Sequence, residues 1–426
     1  MRTTVQRTIS SPDDFKKQLL AWAQEFREVI FLDSNDYPQN YSSFDCVLAV
    51  DALTSIKTDV HNAFEDLKQY RQATADWLFG YLSYDLKNDT EDLHSNNFDG
   101  LEFPDLFFFQ PKKLFLLKGN VLEISYLRMC DDEINTDYDV IAQQPLKIVA
   151  QPLKPDVRQR IPKTDYFSKV EAMLAHIRRG DIYEANFCME FFAEDAEIDP
   201  VDIYTKLNSI SNPPFAVFFK NHRHFALSAS PERYLRKQGS KIISQPIKGT
   251  ARRSSNFEED QSIKAALEAN EKERSENIMI VDLVRNDLSR TASKGSVNVE
   301  ELCGAYTFKQ VHHLISTVVS ESEKSPEEIL QTTFPMGSMT GAPKISAMNI
   351  IEKLEETKRG LYSGAIGYFT PDGDFDFNVV IRSILYNAEN KYVSFSVGSA
   401  ITSLSNPESE YEECLLKAKA MREVLG

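Results

Sequence analysis

Lys241-Ile242-Ile243-Ser244-Gln245-Pro246-Ile247-Lys248-Gly249-Thr250 is the stretch on which the reading of this chain turns. Residues 241–245, with paired isoleucines, read as a short strand. Pro246 has no N–H to give a ladder and stops it. Gly249 lets the backbone turn tightly or come close to a ligand. Lys248 is therefore held between two punctuators, as a reacting amine needs. On these residues alone a surface lysine in a turn is the simpler reading, and the surrounding sequence shifts the balance.

Outward from this stretch, β-rich runs (215–219, 224–228, 392–397) mix with helical ones in an irregular order. That predicts α+β with mostly antiparallel sheets, not a doubly wound parallel sheet. Residues 166–179 form an amphipathic helix closing at Gly180. Residues 271–290 read as one long helix, apolar almost all round at 278–284. The last helix starts at Asn406-Pro407, an N-cap followed by proline. Upstream, 13–27 reads as helix and 77–84 as strand, and Pro104 and 106–109 begin further strands. The polar, proline-containing stretch 151–163 reads as a linker between an N-terminal region, 1–150, and a second region, 164–426. There is no internal repeat, G-x-G-x-x-G or Walker A pattern, so nucleotide binding has no support.

The 426 residues are 42% hydrophobic, enough for a large core or two smaller ones. No apolar run approaches a membrane span, and Met1-Arg2-Thr3-Thr4 lacks the apolar stretch of a signal peptide. The five scattered cysteines, never in C-x-x-C spacing, fit a reducing cytoplasm and argue against a thiolate zinc site. A net charge of −16 argues against nucleic acid or an anionic membrane as partner. A small anionic substrate would need local positive groups.

Three constellations carry chemistry. Glu273 and Glu276 lie three apart on one helix, and Glu410 and Glu413 three apart on another. Two such pairs can converge on a hard cation such as Mg2+, although each alone reads equally as a solvated helix face. In 337–344, Pro343 fits a first helical turn, which leaves the N–H groups of Gly341 and Ala342 as an anion site. Finally, Arg382, His313 and Glu232 sit on β-rich or turn segments. An arginine amid apolar neighbours needs a partner, commonly a carboxylate.

Taken together, Gly180-Asp181-Ile182-Tyr183, Ser228-Ala229-Ser230-Pro231-Glu232-Arg233, Pro246 to Thr250, Glu273 to Arg290, His313-Leu314, Gly341-Ala342-Pro343-Lys344, Ile381-Arg382-Ser383 and Glu410 to Lys417 resemble the chorismate-utilising enzymes. That family includes anthranilate, aminodeoxychorismate, isochorismate and salicylate synthases. The resemblance covers 166 to the C-terminus; 1–150 matches more loosely through 31–34 and 79–85. It implies two antiparallel sheets packed as a sandwich with helices outside, in one intertwined domain. Lysine in P-I-K-G-T marks the aminodeoxychorismate-forming branch, where anthranilate synthases carry alanine. Anthranilate formation and a non-catalytic binding relative stay as alternatives.

The resemblance assigns Lys248 as nucleophile and Glu232 as general acid. Glu276 and Glu413 become magnesium ligands, with Glu273 and Glu410 behind them. Arg382, Tyr362, Gly398 and Ala400 would hold the substrate's side-chain carboxylate, and Gly341, Ala342, Lys344 and Thr250 are further substrate contacts. Ser338 and His313 would line the ring. Most amine-forming relatives have glutamine where this chain has Glu184, and water-adding relatives have lysine there, so an isochorismate-forming reading loses support. Glu184 could steer ammonium or pair with Lys248. Some relatives bind tryptophan near the segment matching 31–34.

The chemistry makes demands. A lysine near its reference pKa must fall roughly 3 units, or about 4 kcal/mol, to be a free amine at neutrality, and Glu232 must rise about 2–3 units. A lysine held out of its preferred charge state should add little to stability. No cysteine sits in a glycine-flanked nucleophile turn, so a separate glutamine amidotransferase should deliver ammonia. With no room after the Glu413 helix for a lyase domain, a separate lyase is expected as well.

Overall fold

The computed structural model describes residues 1–145 and 154–426. Its ladders are antiparallel and form two sheets. The first runs from Arg2–Thr8 through Val121–Leu127, Leu106–Lys118, Cys46–Thr58, Glu28–Asp33, Phe215–Asn221, His224–Ser230, Ser383–Asn387 and Tyr392–Thr402 to Glu184–Ala193. The second runs from the start of Leu106–Lys118 through Leu78–Leu82, Ala365–Phe369, Phe375–Val379, Arg233–Gln238 and Lys241–Gln245 to Val311–Glu321.

Leu106–Lys118 belongs to both sheets: its first residues pair with Leu78–Leu82 and its last with Val121–Leu127. Its other neighbour, Cys46–Thr58, shifts register between Ala52 and Thr54, a bulge that lets the strand bend where the sheets part. Leucine and phenylalanine at 106–109 are all buried, so this strand faces core on both sides.

The sheets meet through aromatic rings. Tyr81 and Phe107 of one sheet touch Phe219 of the other at centroid distances of 5.3 and 5.9 Å. Phe219 is fully buried, and truncating it to alanine would cost about 3–5 kcal/mol. Helices cover the outside. Lys163–Arg179, Pro200–Ser211 and Pro407–Leu425 pack on the first sheet, and Ala63–Thr74, Glu271–Ser289 and Pro326–Thr333 join the core of the second. This is the α+β sandwich expected.

The boundaries moved where a sheet claimed the chain. The helix expected at 13–27 is Pro12–Ala23. Arg27 gives its carbonyl to the His222 N–H, and Glu28 already pairs with Asn221, so the helix cannot run on. Of the expected linker, Gln151, Pro152 and Leu153 lie outside the described residues, while Arg158–Gln159 pairs with Phe191–Phe192 and the next helix begins at Lys163. N-terminal strands are built into both sheets: Glu28–Asp33 lies beside Phe215–Asn221, and Leu78–Leu82 beside Ala365–Phe369.

Candidate active site

Pro246 interrupts its ladder without ending it. The strand resumes as Ile247–Arg252 on the same neighbour, Val311–Glu321. Ser244 pairs with Val318 and Ile247 with Ile315, yet Thr250 pairs with His313, one residue out of step. The extra residue is a β-bulge over Lys248 and Gly249. Gly249 takes φ 96°, in the left-handed region that suits glycine. Bulges re-aim side chains, and this one sets Lys248 in the wall of a cavity of about 510 Å³. Asn277, buried on the helix Glu271–Ser289, clamps the bulge by donating to the carbonyls of Lys248 at 3.1 Å and Leu314 at 3.3 Å.

Glu232 lines the same cavity from the Pro231 turn between His224–Ser230 and Arg233–Gln238. It is buried, and the Ser338 hydroxyl donates to it at 2.7 Å. Burial pushes its carboxyl up to about 7, against the pull of Ser338 and the Ile247 N–H. The acid required of Glu232 is therefore present near neutrality.

Lys248 departs from expectation. Its amine donates to Glu184 Oε1 at 3.1 Å, with the Glu184 side chain 3% exposed and that of Lys248 15% exposed. Burial alone would lower its pKa, but the carboxylates of Glu184, Glu276 and Glu413 outweigh burial and hold it above the ordinary lysine value. The expected fall is not seen. Because the lysine neutralises a buried carboxylate, removing it should cost stability after all.

The four glutamates of the two helices all line the cavity. Among the described residues, however, no three His, Cys, Asp or Glu side chains are gathered closely enough to hold an ion. Glu413 lies 2.6 Å from Lys417 and Glu276 3.7 Å from Lys272, while Glu410 accepts from Ser399. Burial raises Glu273 and pushes Glu276 up to about 7. Glu410 is buried, Glu273 and Glu276 are partly buried and Glu413 is exposed; facing one cavity from two helices, these carboxylates are the oxygen donors that suit a hard divalent cation.

Arg382, Tyr362, Thr250, His313, Ser338, Gly398 and Ala400 also line this cavity. Arg382 is partly buried, loss of solvation lowers its pKa, and it has no ion-pair partner among the described residues, which leaves its fork to meet an anion. Gly398 gives its carbonyl to Lys417 at 2.8 Å on the side of its strand away from Glu184–Ala193. A strand residue's N–H and carbonyl point the same way, so the Gly398 N–H faces the cavity too. His313 bonds Thr250 at 2.9 Å, and burial, with the charge of Arg382, holds it down to about 3, a neutral ring.

Three expected contacts lie elsewhere. Gly341 and Ala342 form a two-residue strand against Ala185 and Glu184, and a Cβ on Gly341 would come within 2.2 Å of the Glu184 carbonyl. Their groups serve the sheet, and Pro343 caps the following helix, Lys344–Leu354, instead of entering its first turn. Lys344 bonds Asp287 at 2.6 Å and the carbonyls of Thr333 and Pro335. None of these three residues lines the cavity. Sequence reasoning passed over Asn186, which lines the wall, Lys417, and Asn277. An asparagine inside an apolar helix beside Glu276, and a lysine four residues after Glu413, were the available signals. A smaller pocket of about 70 Å³ beside Leu32, Asp33 and Ser34 is crossed by the Arg233–Asp376 ion pair at 2.9 Å.

The chain is 39% identical over 263 residues to the chloroplastic aminodeoxychorismate synthase of Arabidopsis thaliana, an alignment covering 61% of this chain and 28% of that protein. It thus spans under a third of the length of that plant relative. Identity to aminodeoxychorismate synthase component 1 of Bacillus subtilis is 31%, covering 87% and 80% of the two chains. Identity to anthranilate synthase component 1 of Saccharolobus solfataricus is 30%, covering 95% of each. Among solved structures, anthranilate synthase component I of Streptococcus pneumoniae superposes with a TM-score of 0.80 at 24% identity, covering 91% and 94% of the two chains, and so shares the fold. Residues 27–423 match the chorismate binding enzyme family, and the chain belongs to that family.

Proposed function

We propose that this chain joins ammonia to chorismate, giving 4-amino-4-deoxychorismate on the route to 4-aminobenzoate and folate, as an aminodeoxychorismate synthase component I. The observation that carries this reading is a lysine and a carboxylic acid poised near neutrality in the wall of one cavity. Nucleophile and acid together split one hard substitution into two easier ones. The Lys248 amine, once free of its extra proton, attacks the ring carbon beside the carboxylate-bearing one. The ring double bonds shift, the C4–O bond breaks, and the leaving oxygen takes the Glu232 proton to depart as water. Ammonia then adds at C4, the double bonds shift back, and Lys248 leaves.

Arg382, Tyr362 and the Gly398 N–H hold the substrate's side-chain carboxylate, and Ser338 keeps the Glu232 carboxyl aimed. Glu276 and Glu413, with Glu273 and Glu410 behind them, would hold magnesium, which would supply positive charge to the ring carboxylate. The five cysteines are buried and unpaired, as suits a reducing cytoplasm, and no described helix is long and apolar enough to cross a membrane.

The near-full-length similarity to an anthranilate synthase component favours a second reading, anthranilate formation. Incubation with chorismate, ammonium and magnesium, with product identified by mass and absorbance, separates the two. The expected product is 4-amino-4-deoxychorismate, and anthranilate with pyruvate would overturn the assignment. Glutamine should replace ammonium only when a separate amidotransferase is added. A chelator, or Glu276→Gln, should abolish turnover and leave the fold intact; full activity in chelator would remove the metal from the scheme.

A further inference from the structure

Lys248 is the reacting amine of the function proposed above, yet it rests as an ammonium in the cavity wall. Something must take its proton before its lone pair can attack. Of the carboxylates around it, Glu184 alone is hydrogen-bonded to Nζ, at 3.1 Å. Glu184 does not line the cavity. It sits behind the lysine, 2% exposed, at the start of the strand Glu184–Ala193, where Thr402 flanks it on one side and Ala342 on the other. Its place is set by two ladders, and Gly341 packs so closely against the Glu184 carbonyl that no Cβ would fit there. The carboxylate reaches the nitrogen and does not line the cavity.

We propose that Glu184 is the positioning residue that accepts the Lys248 proton. In this step the Nζ–H bond breaks and an Oε1–H bond forms on Glu184. The freed lone pair makes the bond to the ring carbon, while the electrons released at C4 leave with the hydroxyl and are matched by the Glu232 proton. When ammonia later displaces the lysine, the Glu184 proton returns to Nζ. The transfer turns a charged pair into a neutral one and exchanges no proton with solvent.

The signature is the slope of rate against pH. With an internal acceptor, formation of the chorismate–Lys248 adduct does not depend on losing a proton to water. In Glu184→Gln the proton must go to solvent, so the rate gains about tenfold per pH unit until the amine's own pKa. The other groups facing the lysine, Glu273, Glu276, Glu413, Lys417, Glu232, His313 and Arg382, are common to both proteins. Glu184 is one of the charges that push Glu276 up, so Glu184→Asp, which keeps that charge, is the reference against which the Glu184→Gln ratio is read.

The test is adduct formation followed by intact mass, with chorismate and magnesium and without ammonia, from pH 6 to pH 9. The ratio of Glu184→Gln to wild type should climb with pH, and Glu184→Asp, which keeps a carboxylate, should give a flat ratio. A flat ratio for Glu184→Gln would reduce Glu184 to a structural partner. If the wild type forms no adduct, the nucleophile reading fails, and acetic anhydride labelling of Lys248 decides the matter without chorismate. A pH-independent floor of labelling present in wild type and absent in Glu184→Gln supports the transfer, and parallel slopes overturn it.

Discussion

A proline turn at Pro231 and a β-bulge just after Pro246 stand side by side in this cavity, and they present groups of opposite electrostatics. The Pro231 turn presents Glu232, and the bulge presents Lys248. They are close: the Ile247 N–H, beside Lys248, draws the Glu232 carboxyl down against the effect of burial. Glu232 has no bonded cation, only a hydroxyl and an amide, so burial dominates and its carboxyl tends to stay protonated. Lys248 is less enclosed and has a carboxylate at hydrogen-bond distance, so it stays charged. Burial favours neutral forms until a partner of opposite charge is supplied. The difference between the corners is therefore the set of carboxylates around Lys248, with Glu184 the one bonded to it, and it leaves one group ready to give a proton and the other needing to lose one.

The sharpest break in this contrast is Lys248→Ala. Turnover should fall at least about a hundredfold, the low end for removing a positioned reacting group. Unlike a lysine idle in a turn, this one leaves Glu184 charged and alone, and stability should drop by roughly 3 kcal/mol. A melting curve separates the effects, because Lys248→Ala/Glu184→Leu should recover most of the stability and none of the rate. A single variant as stable as wild type would deny the ion pair its importance.

Glu232→Gln tests the other corner, with a loss of about a hundredfold in rate. Its stability effect has a defined sign. The folded value of about 7 lies above the ordinary 4.5, so the group's stabilising contribution is whole below 4.5 and is lost as pH rises through 7. Glu232→Gln should thus match wild type near pH 5 and exceed it by up to about 3 kcal/mol at pH 8.5. Denaturant titrations at the two pH values check this, and an equal difference at both would remove the raised carboxyl.

Smaller effects separate substrate contacts from scaffold. Arg382→Gln should raise the KM for chorismate about tenfold to a hundredfold, the worth of one charged hydrogen-bonding group, with less change in kcat. Lys344→Met should do the reverse. It frees Asp287 and two carbonyls and costs stability, while the KM measured on surviving folded protein stays put. A KM effect at Lys344 larger than that at Arg382 would return it to the substrate.

The sandwich was legible because strands such as 106–118 and 392–402 carry long apolar, β-prone runs that sheets on both sides require. Prolines mark where Glu232 and Lys248 are presented, but Tyr362, Ser338, Gly398, Ala400 and Thr250 carry no local signal and were legible only through the family resemblance. The bulge at Lys248–Gly249 was not legible, because a register slip is set by the partner strand, Val311–Glu321, which local sequence does not reveal. The reassignment of Gly341, Ala342 and Lys344 has the same origin: their partners, Glu184 and Ala185 for the first two and Asp287 for the third, are distant in the chain. The charge state of Lys248 also depends on a residue 64 positions away.

The most direct measurement is peptide mass spectrometry after incubation with chorismate and magnesium in the absence of ammonia. The nucleophile assignment predicts one modified residue, Lys248, carrying the mass of chorismate less water through a secondary amine whose mass borohydride does not change. A product formed at full rate with ammonium while Lys248 stays unmodified, or in the Lys248→Ala protein, would contradict it.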